Sequence, residues 1–131
     1  MTSTILGAAI EVHKALGAGY LESVYANALD VALRERRVQF SREHEIELCF
    51  HGQKVGEHRL DLLVEGLVVV ELKAVESLAP VHFAQVRSYL LSTGLPVGLL
   101  LNFNAPVLEV KRVVNTPTER HSGVFRVPAL P

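Results

Sequence analysis

Two hydrophobic periods succeed one another along the chain and divide it into helices and strands. Ile5, Leu6, Ala9, Val12 and Leu16 recur at helical spacing. This predicts a first helix, capped by Ser3 and ending near Leu16, with Gly17 where a helix end favours glycine. Gly17-Ala18-Gly19 is a break. Val24, Ala28, Leu29, Val31, Ala32 and Leu33 then mark the apolar side of a second helix, from about Leu21 to Arg36. The period next falls to two. Ile46, Leu48 and Phe50 alternate with Glu45, Glu47 and Cys49, as in a half-exposed strand. His51-Gly52-Gln53 turns the chain, and a second strand returns over about 56–64. Glu65-Gly66 turns it again into Leu67–Ala74, whose core Val68-Val69-Val70 is apolar on both faces, as a central strand is. Pro80 opens a third helix over about 81–92, stopped by Gly94 and Pro96. Residues 97–103 form another apolar strand and 111–115 a weaker last one. The predicted order is α, α, β, β, β, α, β, β. From Thr116 the period is lost among prolines, so 116–131 reads as a tail with a short edge strand at Val124–Val127.

At 131 residues the chain fits one domain, spanning 1–115 before the tail. Apolar residues make up 49%, enough for a core. No apolar run has the length of a membrane span, and Met1-Thr2-Ser3-Thr4 does not open a signal peptide. A single cysteine, Cys49, excludes an internal disulfide and a cysteine-based zinc site. The expectation is a soluble, cytoplasmic protein. The net charge of −1 argues against a surface basic enough to grip nucleic acid everywhere, but leaves room for a local basic groove. Arg34, Arg36, Arg37 and Arg42 are the one basic cluster. A solvated helix end is the plainer reading, a phosphate-guiding rim the sharper one.

Candidate chemistry lies inside the apolar strands. Glu71 and Lys73 are two apart and share a face, and charge in a buried strand is costly unless paired or bound to a metal. An ion pair at a strand end explains them equally well. Asp61 shifts that balance, because it interrupts the preceding apolar strand. If the loop centred on Gly66 holds three residues, Asp61 faces Glu71. A two-residue turn would put the carboxylates on opposite faces. Paired carboxylates repel and stay partly protonated without a cation, and a hard divalent ion with oxygen ligands, usually Mg²⁺, resolves this. The Lys73 ammonium can then stabilise charge on a phosphate. Other chemistries lack their motifs. The histidines have no ligand spacing, and neither a G-x-x-x-x-G-K-[ST] loop nor a G-x-S-x-G elbow occurs.

Asp61, nine residues, then Glu71-Leu72-Lys73 resembles the signature of the PD-(D/E)XK nuclease superfamily, although Leu60 stands where the naming proline would be. Gly19-Tyr20-Leu21-Glu22-Ser23-Val24-Tyr25 is similar to the G-x-x-E-x-x-Y string that names a family of small bacterial proteins within it. Gln85-Val86-Arg87-Ser88-Tyr89 resembles the Q-x-x-x-Y helix of its exonuclease-like branch. The GxxExxY resemblance runs from about Ile5 to Asn115 and includes Pro80-Val81-His82 and Leu101-Asn102-Phe103-Asn104. It implies a restriction-endonuclease-like α/β (α+β) fold, an αβββαβ core with a mixed central sheet flanked by helices and an added N-terminal helix. It implies Mg²⁺, with Mn²⁺ as substitute, held by Asp61 and Glu71, with the Leu72 carbonyl as a further ligand and Glu22 contacting the ion directly or through water. Lys73 would be the catalytic lysine, and Gln85 and Tyr89 would position the substrate or the lysine. The expected partner is nucleic acid, DNA first.

The bland readings stand beside these. An acid in a helix's first turn is favoured by about 0.3–1 kcal/mol, which would explain Glu22 alone. Tyr25 reads as core with its hydroxyl at the site edge, Gln85 and Tyr89 could only pack their helix, and Asn102 and Asn104 read as turn residues. His82, at a helix start, is a weaker candidate phosphate contact. The alternative function is a non-catalytic nucleic-acid-binding or protein-interaction module on the same fold, and a homodimer is a third arrangement.

Overall fold

The computed structural model describes residues 1–115. Its elements are α1 (Thr2–Leu16), α2 (Glu22–Glu35), β1 (Phe40–Phe50), β2 (Gln53–Val64), β3 (Val68–Lys73), α3 (Pro80–Thr93), β4 (Val97–Asn102) and β5 (Glu109–Val114). Each follows a predicted segment, with β1 and β2 longer than their patterns. The edge strand expected at Val124–Val127 lies outside the described residues.

Five strands form one sheet in the order β1-β2-β3-β4-β5. β3 and β4 are parallel and the other neighbours antiparallel. The parallel pair requires a crossover, which α3 supplies. α3 seats closely because Gly98 on β4 has no side chain. A Cβ there would stand 2.6 Å from the Val86 Cγ1.

Two cores lie on the two faces of the sheet. The larger joins α1 and α2 to Leu62, Val64, Val70, Leu72, Leu99, Leu101 and Phe103. The smaller joins α3 to Ile46, Leu60, Leu63, Val69 and Leu100. Their membership reveals a crease. Leu60 and Leu62 are two apart on β2 and should share a face, yet they enter opposite cores. The break lies between them, at Asp61. Across the strand pair, Glu43 lies between the paired residues Arg42↔Leu62 and His44↔Leu60, and its φ is +49°. A left-handed residue in mid-strand turns the strand over, so both strands exchange faces at the row holding Glu43 and Asp61.

Several local expectations change. Thr2 begins α1 and no side chain caps it, so Ser3 sits within the helix. Val31 and Phe50 are exposed. Tyr25 and Asp30 take the buried places on α2 instead, because its contact face is rotated toward Phe103 and Arg42.

Candidate active site

The β2–β3 loop decides the site's geometry. Leu62↔Val70, Leu63↔Val69 and Val64↔Val68 are paired, which leaves three residues in the loop. Glu65 and Gly66 are both left-handed, and the Leu67 N–H donates to the Val64 carbonyl at 2.9 Å. This is the connection that brings Asp61 and Glu71 together. Beyond Leu62↔Val70 the backbone ladder stops at the crease, and the two carboxylates replace it. The Asp61 N–H donates to Glu71 Oε1 at 3.0 Å, and the Leu72 N–H donates to Asp61 Oδ2 at 2.9 Å. Each acid thus bonds a backbone N–H on or beside the other's strand with one oxygen and keeps the second for another partner. Lys73 Nζ stands 4.0 Å from Glu71 Oε2.

Burial makes this pair electrostatically costly. Glu71 is 2% exposed. Desolvation first, then the charge of Asp61, pushes its carboxyl up to about 8, against the lowering effects of the Asp61 N–H and Lys73. Asp61 is also raised, chiefly by desolvation, with the Leu72 N–H and Lys73 opposing and Glu43 adding to the rise. Two raised acids beside one lysine form a site short of positive charge.

The helices bring the remaining candidates to the same place. Glu22 opens α2. Its carboxyl is raised by partial desolvation, is lowered by Lys73 and is raised by Asp61, so it lies within electrostatic reach of both. The loop before it is clamped. The Tyr25 hydroxyl donates to the Gly17 carbonyl and accepts from the Tyr20 N–H, and its ring stacks on Phe103 at 4.8 Å. Gly19 holds a φ of +110°, and its N–H donates to Asn104 Oδ1 at 3.1 Å. The roles in Gly19-x-x-Glu22-x-x-Tyr25 are therefore distinct. Glycine permits the bend, tyrosine holds the loop, and only glutamate faces the cleft. The Tyr25 hydroxyl, expected at the site edge, is taken up by the loop carbonyl and amide.

On α3, Tyr89 is buried. Its hydroxyl is raised by desolvation and by the charges of Glu71 and Asp61, with the Gln85 side chain partly opposing. His58 supports the ring at 4.6 Å, is itself shifted down by desolvation, and is held by Ser88 at 2.8 Å. His82 Nδ1 accepts from the Ala79 N–H at 2.9 Å, and the His82 N–H donates to the Ala79 carbonyl. His82 is thus a helix cap that also acts on the charge of Glu22.

Asn102 is where the sequence reading falls short. It is fully buried. Its Oδ1 accepts from the Val75 and Asn104 N–H groups, and its Nδ2 donates to the Val75 carbonyl and to Glu109. It pins the chain leaving Glu71-Leu72-Lys73 to the end of β4, so it is a clamp and not a turn residue. Glu43 was missed as a site neighbour, and Arg42 was read only as part of the arginine cluster. Both line, with Glu22, Ser23, Ala26, Asp61 and Leu72, a cleft of about 330 Å³.

The donors fit a hard divalent ion. Among the described residues no three His, Cys, Asp or Glu side chains gather closely enough to hold an ion. Two carboxylates with backbone oxygen and water make up the set that Mg²⁺ accepts, since it keeps much of its hydration. A cation would also relieve the cost that raises Glu71 and Asp61.

A model of the PD-(D/E)XK nuclease superfamily matches residues 1–113. The chain belongs to the PD-(D/E)XK nuclease superfamily. No curated protein and no solved structure matches it. Superfamily membership agrees with the mixed sheet flanked by helices, and its nucleases generally use divalent metals. Among the described residues no helix is long and apolar enough to cross a membrane.

Proposed function

We propose that this PD-(D/E)XK protein, of the GxxExxY kind, is a cytoplasmic Mg²⁺-dependent nuclease that hydrolyses phosphodiester bonds of DNA. One observation carries the reading. Asp61 and Glu71 exchange bonds across the crease beside Lys73, and both carboxyls are raised by burial. Buried acids held this rigidly, each with an oxygen to spare, suit a cation better than they suit each other.

Asp61, Glu71 and the Leu72 carbonyl would hold the ion, and Glu22 would reach it through water. The ion supplies Lewis acidity to the phosphate and lowers the pKa of water. Glu71 must give up its proton for the ion to bind, so binding below pH about 8 releases a proton. Lys73 sets a fixed positive charge where negative charge grows on the scissile phosphate. Tyr89 and Gln85 position the substrate, with Tyr89 staying a neutral donor because its hydroxyl is raised.

The test is calorimetric titration of Mg²⁺ and Mn²⁺ into the wild type and Glu71→Gln, followed by incubation with labelled single- and double-stranded DNA and RNA. Metal binding and cleavage by the wild type, both lost in Glu71→Gln, are expected. A wild type that binds nucleic acid, takes no divalent ion at millimolar concentration and cuts nothing would instead be a non-catalytic binding module on this fold.

A further inference from the structure

A second cavity, of about 510 Å³, adjoins the acidic cleft and is lined by Asp30, Arg34, Arg37, Val38, Gln39, Phe40 and Arg42. Arg42 lines both spaces. We propose that this cavity binds a phosphate group of the nucleic-acid strand whose neighbouring phosphodiester lies in the acidic cleft. In taking nucleic acid as the ligand, this rests on the nuclease reading.

Asp30 organises the cavity. Its side chain is 8% exposed, and a buried carboxylate persists only when it is well paired. Asp30 Oδ1 forms an ion pair with Arg34 Nε at 2.7 Å, and Oδ2 accepts from Arg42 Nη1 at 3.2 Å. Arg42 Nη1 also donates to Asn27 Oδ1 at 2.9 Å. One acid thus fixes two guanidiniums while taking one nitrogen from each. Both Nη groups of Arg34, and the Nε and Nη2 of Arg42, have no partner among the described residues. Arg37 brings a further charge and forms no ion pair among the described residues. The arginines of the cavity exceed its single acid, and a guanidinium fork matches phosphate oxygens.

Charge makes such a place necessary. The protein carries a net charge of −1, and the acids Glu22, Glu43 and Asp61 would repel a backbone arriving at the cleft. A polyanion can be held only where the potential is locally reversed. Arg36 provides the contrast. It belongs to the same cluster, yet it turns away to Glu11 on α1 at 2.9 Å and lines neither space.

The experiment measures anisotropy of labelled single- and double-stranded DNA, in EDTA so that nothing is cut, across a salt series. It compares the wild type, Arg34→Gln/Arg37→Gln and Arg36→Gln, with thermal melting to confirm folding. The double variant should bind about tenfold more weakly near 0.1 M salt, with its log Kd–log salt slope reduced by about 0.7–0.9 per lost contact. Arg36→Gln should change binding by less than about twofold. Oligonucleotides ending in 5′-phosphate or 5′-hydroxyl separate the two sources of the group. Equal arginine dependence assigns an internal diester. A phosphate preference lost in the double variant assigns a strand end. No affinity in the wild type, an unchanged double variant, or an equal loss in Arg36→Gln overturns the proposal. Binding that depends on the cavity, without cleavage in Mg²⁺, overturns the nuclease reading alone. Cleavage with Kd and KM untouched by the double variant overturns the cavity alone.

Discussion

The two halves of the β1–β2 hairpin use the same residue types for opposite ends. In the outer half, Arg59 reaches Glu45 at 2.8 Å and Lys54 reaches Glu57 at 3.5 Å, all of them half exposed or more. Water shares these charges, and pairs of this kind contribute little. In the inner half, Asp61 lies between two cores and meets Glu71 where water has been largely excluded. There the same carboxylate is raised, is tied to backbone amides and is receptive to a cation. Charge in a strand therefore signals chemistry only where the surrounding core removes the solvent that would otherwise explain it.

The comparison is broken most sharply by activity. Glu71→Gln or Lys73→Ala should lower the cleavage rate by about 10²–10³-fold or more, and Glu45→Gln should leave it unchanged; gel assays under single-turnover conditions decide it. A similar loss in Glu45→Gln would erase the distinction between the halves. Stability comes next. Asn102→Ala leaves the Val75 amide and carbonyl without partners and should cost about 2–3 kcal/mol by denaturant unfolding. Gly98→Ala drives a methyl into Val86 and should cost about 1–3 kcal/mol in the same assay. The pH dependence is subtler. Folded Glu71 titrates near 8, above the ordinary carboxylate value of 4.5. It therefore holds its proton in the folded state through a range where the unfolded chain has lost it. The contribution is full below the unfolded value and disappears as pH rises through about 8. Melting in EDTA should thus fall between pH 5 and 9 for the wild type, more than for Glu71→Gln, and a saturating divalent ion should flatten the difference. Smallest of all, Arg59→Ala should leave the melting temperature where it is.

How much of this was legible depended on loop length. The β2–β3 connection is short, so placing Gly66 at its centre sufficed to set Asp61 beside Glu71. The β1–β2 hairpin is long, and its register shifts between Leu48 and Cys49. Counting back from Phe50↔Gln53 sets Glu43 opposite Leu60. The shift moves it beside Asp61, so its place at the cleft could not be read in advance. Asn102 was hidden for another reason: an asparagine after an apolar strand looks like a turn, and only the path of 73–75 shows what it holds. The cluster of Arg34, Arg36, Arg37 and Arg42 was legible as a rim, but the sequence does not reveal that a buried Asp30 holds Arg34 and Arg42 while Arg36 turns away.

The crease also bears on the edge of the sheet. β1 is an edge of the sheet, and an open edge invites another copy to add a strand and begin aggregation. A neighbour docking there would need a flat run of free amides and carbonyls. It meets the left-handed Glu43, the irregularity at Leu48/Cys49, and a row of exposed acids at Glu43, Glu45 and Glu47. The distortion that brings an acid to the cleft thus also makes the β1 edge a poor template for a further strand.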